Sequence, residues 1–146
     1  MRFWLVVGCA VCLAAVSGCD KSFHLVLRND TGQPVNASLG SETKPIAAGG
    51  SADFVLRGDR RLRVQVGSAR WDYGRSWVSA DFSSFNPGDY RYVRSAGFFG
   101  PSTVNAVLRA DGRILVRAVV DRNVTDRLAD PQPEGYPLTP GNSTGS

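Results

Sequence analysis

The chain has 146 residues, 42% of them hydrophobic and 21% charged, a composition that indicates one folded domain and excludes an intrinsically disordered protein. Its net charge of +4 is too small to indicate a nucleic-acid-binding surface, so we expect no nucleic-acid partner. The three cysteines, Cys9, Cys12 and Cys19, all precede the body of the chain, which therefore contains no disulfide framework.

The N-terminal segment has the pattern of an export signal. Arg2 supplies a positive charge, residues 3–16 form an apolar run, and Ser17 and Gly18 are small. A bilayer span needs about 20 apolar residues, so a run of this length is typical of a secretory signal peptide instead. We predict that residues 1–18 are the signal peptide.

The residues that follow the apolar run point to lipidation. Val16-Ser17-Gly18-Cys19 resembles the lipobox of bacterial lipoproteins. That resemblance implies that the sulfur of Cys19 receives a diacylglyceryl group, that the chain is cut before Cys19, and that the new amino terminus is acylated. Two or more acyl chains anchor a protein stably to a membrane. We therefore expect a lipid-anchored protein of the bacterial cell envelope that faces the periplasm.

The residue after the lipobox bears on which membrane holds the protein. Asp20 resembles the signal that retains enteric lipoproteins in the inner membrane, so we favour the inner membrane, with the outer membrane as the alternative. Residues 19–22 form the lipidated anchor and a short tether.

Two alternatives to lipidation are compatible with the sequence. One is an ordinary secretory signal followed by a chance cysteine, which would leave an unpaired thiol in an oxidising compartment. The other is a secreted eukaryotic protein, because Asn-X-Ser/Thr sequons begin at Asn29, Asn36, Asn123 and Asn142. Such tripeptides arise easily in loops, whereas the lipobox accounts for both the apolar run and the cysteine.

Beyond the tether the dominant hydrophobic period is two, which is typical of half-buried β-strands. The first predicted strand covers residues 23–28 and ends at the turn cluster Asn29–Gly32. Further strands are predicted over residues 35–39, 52–56, 62–66, 76–82, 90–94, 104–109 and 113–120. The last two flank Ala110-Asp111-Gly112, where glycine favours a tight hairpin.

Seven or eight short strands without a helix pattern predict an all-β fold. We expect an antiparallel β-sandwich of the immunoglobulin-like or Greek-key type over residues 23–128; a small up-and-down β-barrel is the alternative. Residues 129–146 are rich in Pro, Gly and Ser and are expected to form a mobile or loosely docked tail. The domain and its tail resemble uncharacterised small exported proteins of bacteria.

Residues with catalytic chemistry are sparse. His24 is the only histidine, so it alone could serve as the base of a catalytic triad. We expect neither a metal site nor a cofactor, and no enzymatic activity. The enzymatic alternative is a sugar- or cell-wall-active hydrolase in which Asp72, Asp81 or Asp89 supplies paired carboxylates beside an aromatic platform.

Aromatic and arginine side chains supply the candidate binding surfaces, because Trp, Tyr and Arg concentrate binding energy at interfaces. The candidate partner or sugar surface consists of Trp71, Tyr73, Phe98 and Phe99. A basic turn and strand contains Arg57, Arg60, Arg61 and Arg63. Since residues 20–22 span little more than about 10 Å when extended, the domain must lie close to the lipid headgroups, and we predict that these arginines face anionic lipid.

The sequence thus predicts a membrane-anchored, non-enzymatic binding, assembly or accessory module of the envelope. Its expected partners are membrane lipid, through Cys19, and another envelope protein or a cell-wall component. Besides the hydrolase, a purely structural lipoprotein without a dedicated ligand is an alternative.

Overall fold

The computed structural model describes residues 22–56, 61–73, 91–95, 100–133 and 135–141. Within these ranges the chain forms ten β-strands and no helix, which confirms the all-β prediction. The strands are β1 (Phe23–Asp30), β2 (Val35–Leu39), β3 (Glu42–Ile46), β4 (Ser51–Leu56), β5 (Leu62–Val66), β6 (Ala69–Asp72), β7 (Val93–Ser95), β8 (Ser102–Arg109), β9 (Ile114–Val120) and β10 (Asn123–Leu128).

The strands form two open sheets. The first has the order β10-β9-β8-β1-β4, with β7 also paired to β8, and the second has the order β3-β2-β5-β6. Neither sheet closes on itself, so the up-and-down barrel alternative is wrong. All neighbours are antiparallel except β1 and β8, which run parallel from the pair Phe23 and Ser102 to the pair Asp30 and Arg109. A hydrophobic period identifies a strand but carries no information about the direction of its partner.

One hydrophobic core lies between the two sheets. Alternation in β1 and β5 turns Leu25, Leu27 and Val64 inward, and all three side chains are at most 1% exposed. Phe54 of β4 is fully buried in the same cluster. Each such side chain contributes roughly 1.5–3 kcal/mol when it leaves water. The period-two pattern that predicted the strands is therefore the pattern that builds the core.

The strands absent from the sequence prediction, β3, β6 and β10, are all edge strands. β3 is buried only at Ile46, and β6 and β10 contain no fully buried residue. Polar residues are common on edge strands because they discourage pairing with other chains, and they also remove the alternation on which the prediction depends. Of the predicted strands, the one over residues 76–82 lies outside the described residues, and the one over residues 90–94 overlaps β7 only at Val93 and Arg94.

The described residues after β10, 129–133 and 135–141, are packed against both sheets, where a mobile or loosely docked tail was expected. Leu138 is 8% exposed and exchanges two main-chain hydrogen bonds of 2.9 Å with Ile114 of β9. The Gln132 side chain binds both the main-chain N–H and C=O of Val116. The Gly141 N–H donates to the carbonyl oxygen of Asp72 in β6 at 2.8 Å. Proline content predicted an extended backbone, but the apolar Leu138 and these pairings hold it in place.

Candidate functional site

The chain enters the fold immediately after the predicted anchor. The carbonyl oxygen of Ser22 accepts a hydrogen bond from the Ser102 N–H at 3.1 Å, and Phe23 pairs with Leu56 on one side and Ser102 on the other. We call this end of the first sheet the entry end. Cys19 and Asp20 lie outside the described residues. No helix within the described ranges has the length and hydropathy needed to span a bilayer.

A histidine, a serine and an aspartate meet beside the entry end. His24 Nδ1 lies 2.9 Å from the Asp53 carboxylate, and its Nε2 lies 3.2 Å from Ser22 Oγ. The connectivity is that of a hydrolase triad, in which the carboxylate is buried and oriented within a site. Asp53 is instead 54% exposed. We therefore assign these contacts to fixing the start of β1 on its neighbour β4.

Only part of the predicted arginine surface can be placed. Arg57 and Arg60 lie outside the described residues, in the connection between Leu56 and β5. Arg61 and Arg63 are nearly half exposed and form ion pairs of 3.3 and 3.4 Å with the carboxylate of Asp72. These two arginines therefore lie on the second sheet, next to the aspartate of β6.

The residues of the predicted aromatic surface do not form one exposed surface among the described positions. Tyr73 is 5% exposed, so the prediction that it is a surface residue is wrong. Its ring belongs to the core, and its hydroxyl donates to the carbonyl oxygen of Gly112 at 2.7 Å. Trp71 is partly buried and packs against the core. Phe98 and Phe99 lie outside the described residues, so the aromatic surface is reduced to a partly covered Trp71 among the described positions.

The carboxylates proposed for a hydrolase are not all described either. Asp72 is 27% exposed and binds two guanidinium groups, while Asp81 and Asp89 lie outside the described residues. The main-chain carbonyl of Asp72 also accepts from Gly141. The geometry around Asp72 is thus that of a structural ion-pair acceptor.

A polar recess on the outer surface of the second sheet is a feature that the sequence did not reveal. We call this surface the polar face; its side chains are Asn36, Ser38, Thr43, Arg63, Gln65 and Arg70. Strand register places them in two rows, with Asn36, Gln65 and Arg70 in one and Ser38, Arg63 and Asp72 in the other. They surround an open recess of about 470 Å³.

The polar face arises from the same alternation that builds the core. In β2 the inward residues are Val35, Ala37 and Leu39, so Asn36 and Ser38 point outward. In β5, Arg63 and Gln65 alternate in the same way with three buried residues. In the sequence, the only sign of the polar face is a polar residue at every second position of these two short strands. The sequence does not determine which strands are neighbours; the structure shows it.

Neither a metal centre nor a known family identifies the site. Among the described residues, no three His, Cys, Asp or Glu side chains are grouped so that they could hold a metal ion. No protein-family model, curated protein or solved structure matches the chain.

Proposed function

We propose that the protein is a lipoprotein of the bacterial cell envelope, held in the membrane through Cys19, whose β-domain is a non-enzymatic binding or accessory module. The observation that supports this most directly is that the first residue the structure describes, Ser22, is already paired to the first sheet. Because Ser22 is already hydrogen-bonded to Ser102, only Asp20 and Lys21 separate the lipidated cysteine from the fold. The three steps from Cys19 to Ser22 reach about 10 Å when extended, so the domain lies against the membrane.

The strand register supports a definite orientation on the membrane. Leu56, the partner of Phe23, immediately precedes Arg57, so β4 ends at the entry end of the first sheet, where the chain continues into the segment that contains Arg57 and Arg60. Each arginine near an anionic leaflet contributes about 1 kcal/mol of attraction. The opposite end of β1, at Asp30, lies seven residues further along, which is about 23 Å at the rise of a strand. In the proposed orientation this end faces the periplasm.

The strand arrangement also supports a Greek-key sandwich of the immunoglobulin-like type. The chain crosses repeatedly between the sheets: β1 and β4 belong to the first, and the β2–β3 and β5–β6 hairpins belong to the second. Inward residues of both sheets form one core cluster. Asp72 is ion-paired with Arg61 and Arg63, which favours a binding role of the protein over a hydrolytic one.

Membrane fractionation tests the anchoring. Wild-type protein is expected to stay in the membrane pellet after washing with high salt, whereas Cys19→Ser is expected to appear in the soluble periplasmic fraction. In the Cys19→Ser background, Arg57→Ser with Arg60→Ser should further weaken binding to vesicles that contain phosphatidylglycerol. A Cys19→Ser protein that remains in the salt-washed pellet would contradict the proposal.

A further inference from the structure

The polar face has the chemistry of a ligand site rather than of a packing surface. Its outward side chains come from four neighbouring strands, and each carries a hydrogen-bonding group. Amide, hydroxyl and guanidinium groups together offer many donors and several acceptors within one recess. A ligand that fits this recess must itself be rich in polar groups.

Several of these groups have capacity to bind a ligand. The Asn36 side chain makes no hydrogen bond within the described part of the chain, and the Gln65 amide makes one long contact of 3.4 Å with the carbonyl oxygen of Gly67. Ser38 and Thr43 share a hydrogen bond of 2.8 Å, which leaves further acceptor positions on both oxygens. The amides of Asn36 and Gln65 and the hydroxyls of Ser38 and Thr43 can therefore bind a ligand.

The charge of the polar face favours an anion. Arg63 and Arg70 lie on it, and Arg61 adjoins it, against the carboxylate of Asp72. The long ion pair of Arg63, 3.4 Å from its Nε atom, does not use both edges of the guanidinium fork. An arginine fork matches a carboxylate with two parallel hydrogen bonds. The described residues of this surface therefore carry an excess of positive charge with suitable geometry.

We propose that the polar face binds an anionic glycan of the cell wall, a hydroxyl-rich polymer that carries carboxylates. Arg63 and Arg70 bind the carboxylates. Asn36, Gln65 and the paired hydroxyls of Ser38 and Thr43 bind the hydroxyl and amide groups of the sugar units. The choice of ligand rests on the envelope location proposed above, whereas the site itself rests on the geometry of the second sheet.

The position of the polar face favours a glycan over membrane lipid. β5 begins at Leu62, six residues after Leu56 at the entry end, and Val66 lies four residues further, about 13 Å away along the strand. The face thus extends away from the entry end instead of lying across it. Its outward side chains are polar, whereas a surface that enters a bilayer presents apolar groups as well.

Cosedimentation of the mature lipoprotein, purified in detergent, with isolated peptidoglycan sacculi tests the proposal. We expect wild type to sediment with the sacculi and Arg63→Gln with Arg70→Gln to lower the affinity about tenfold. Asn36→Ala with Gln65→Ala removes donors without a change in charge and should lower it about threefold. The matched control is Arg122→Gln with Arg127→Gln, exposed arginines of the β9–β10 turn and of β10, which should change it less than about twofold.

Three results would overturn the proposal: no sedimentation of the wild type, equal losses in the control and the Arg63/Arg70 variant, or displacement by glycerol phosphate but not by soluble peptidoglycan fragments. The last would assign the face to a lipid headgroup. Because the protein is purified before the assay, failure to bind sacculi leaves the anchoring proposal intact. Conversely, a sacculus-binding protein without lipid on Cys19 would contradict only the anchoring.

Discussion

The phenol hydroxyl of Tyr73 donates a hydrogen bond of 2.7 Å to the main-chain carbonyl oxygen of Gly112. Tyr73 follows β6 of the second sheet, and Gly112 lies in the turn between β8 and β9 of the first, so this bond joins the two sheets. Trp71 and Pro140 pack on the same glycine, since a Cβ atom built there would lie 3.1 Å from the Trp71 ring and 3.0 Å from Pro140 Cγ. Both sheets and the C-terminal segment therefore meet at Gly112.

Gly112→Ala is expected to destabilise the protein more than Gly32→Ala. Both glycines have positive φ, +80° and +85°, but a Cβ atom at Gly32 would meet nothing within 4 Å. The left-handed backbone alone costs about 1–2 kcal/mol for alanine, and overpacking at Gly112 adds roughly 1–3 kcal/mol. Urea unfolding of the two variants measures the difference, and equal losses would show that the contacts with Trp71 and Pro140 are not tight.

The stability of the protein should fall above about pH 10. Burial, and secondarily the charge of Asp111, raises the pKa of Tyr73, so the folded protein retains the proton that the unfolded chain releases. The stabilisation is complete below the ordinary tyrosine pKa and is lost as the pH rises beyond it.

Thermal unfolding from pH 8 to pH 11 tests this dependence. Tyr73→Phe should be less stable at neutral pH by about 1–3 kcal/mol, because the Gly112 carbonyl loses its partner, yet its stability should decline less steeply with pH. Parallel curves for the two proteins would contradict the assignment.

Asn29 is a fully buried polar side chain at the end of β1. Its amide nitrogen donates to the carbonyl oxygens of Gln33, Ile46 and Ala47 at 2.8–3.1 Å, and its oxygen accepts from Thr31. A nitrogen engaged in this way is incompatible with a glycan, so the sequon at Asn29 gives no support to a eukaryotic glycoprotein.

Asn29→Ala should therefore lower the free energy of unfolding by roughly 1–3 kcal/mol, because the buried Ile46 carbonyl loses its donor and the part-buried bonds to Gln33 and Ala47 are lost with it. Asn36→Ala is the matched control: Asn36 is also in a sequon but is exposed, so the change should stay within about 0.5 kcal/mol. Denaturant unfolding measures both. A small effect at Asn29 would mean that water replaces its amide.

The C-terminal segment is expected to contribute to stability. Leu138→Ala removes a side chain that is 8% exposed and should cost about 2–5 kcal/mol. Thr139→Ala, at the neighbouring exposed position, should cost less than about 0.5 kcal/mol. If thermal unfolding gives the same midpoint for both variants, the packing of this segment against Ile114 does not stabilise the fold.

Much of the fold could be predicted from the hydrophobic alternation of the sequence. The predicted strands over residues 35–39 and 62–66 coincide with β2 and β5, because both bury every second side chain. The edge strands lack that signal, and the parallel pairing of β1 with β8 depends on contacts distant in sequence. Tyr73 was misplaced because an aromatic residue among charged neighbours has the same local pattern whether it is exposed or, as here, turned into the core at the end of a strand.

The candidate site was harder to predict from the sequence than the fold. Asn36, Gln65 and Arg70 become neighbours only because β5 lies between β2 and β6, an order that a single sequence does not determine. The anchor is the opposite case, since the lipobox is a local motif whose prediction needs no tertiary structure.

The central claim is that Cys19 carries the lipid that holds the domain at the membrane. Tandem mass spectrometry of the N-terminal peptide of the mature protein tests it most directly. We predict a peptide that begins at Cys19, with a diacylglyceryl group on the sulfur and an acyl group on the amino terminus. A chain that retains residues 1–18, or a Cys19 with an unmodified thiol, would contradict the anchoring and the orientation derived from it.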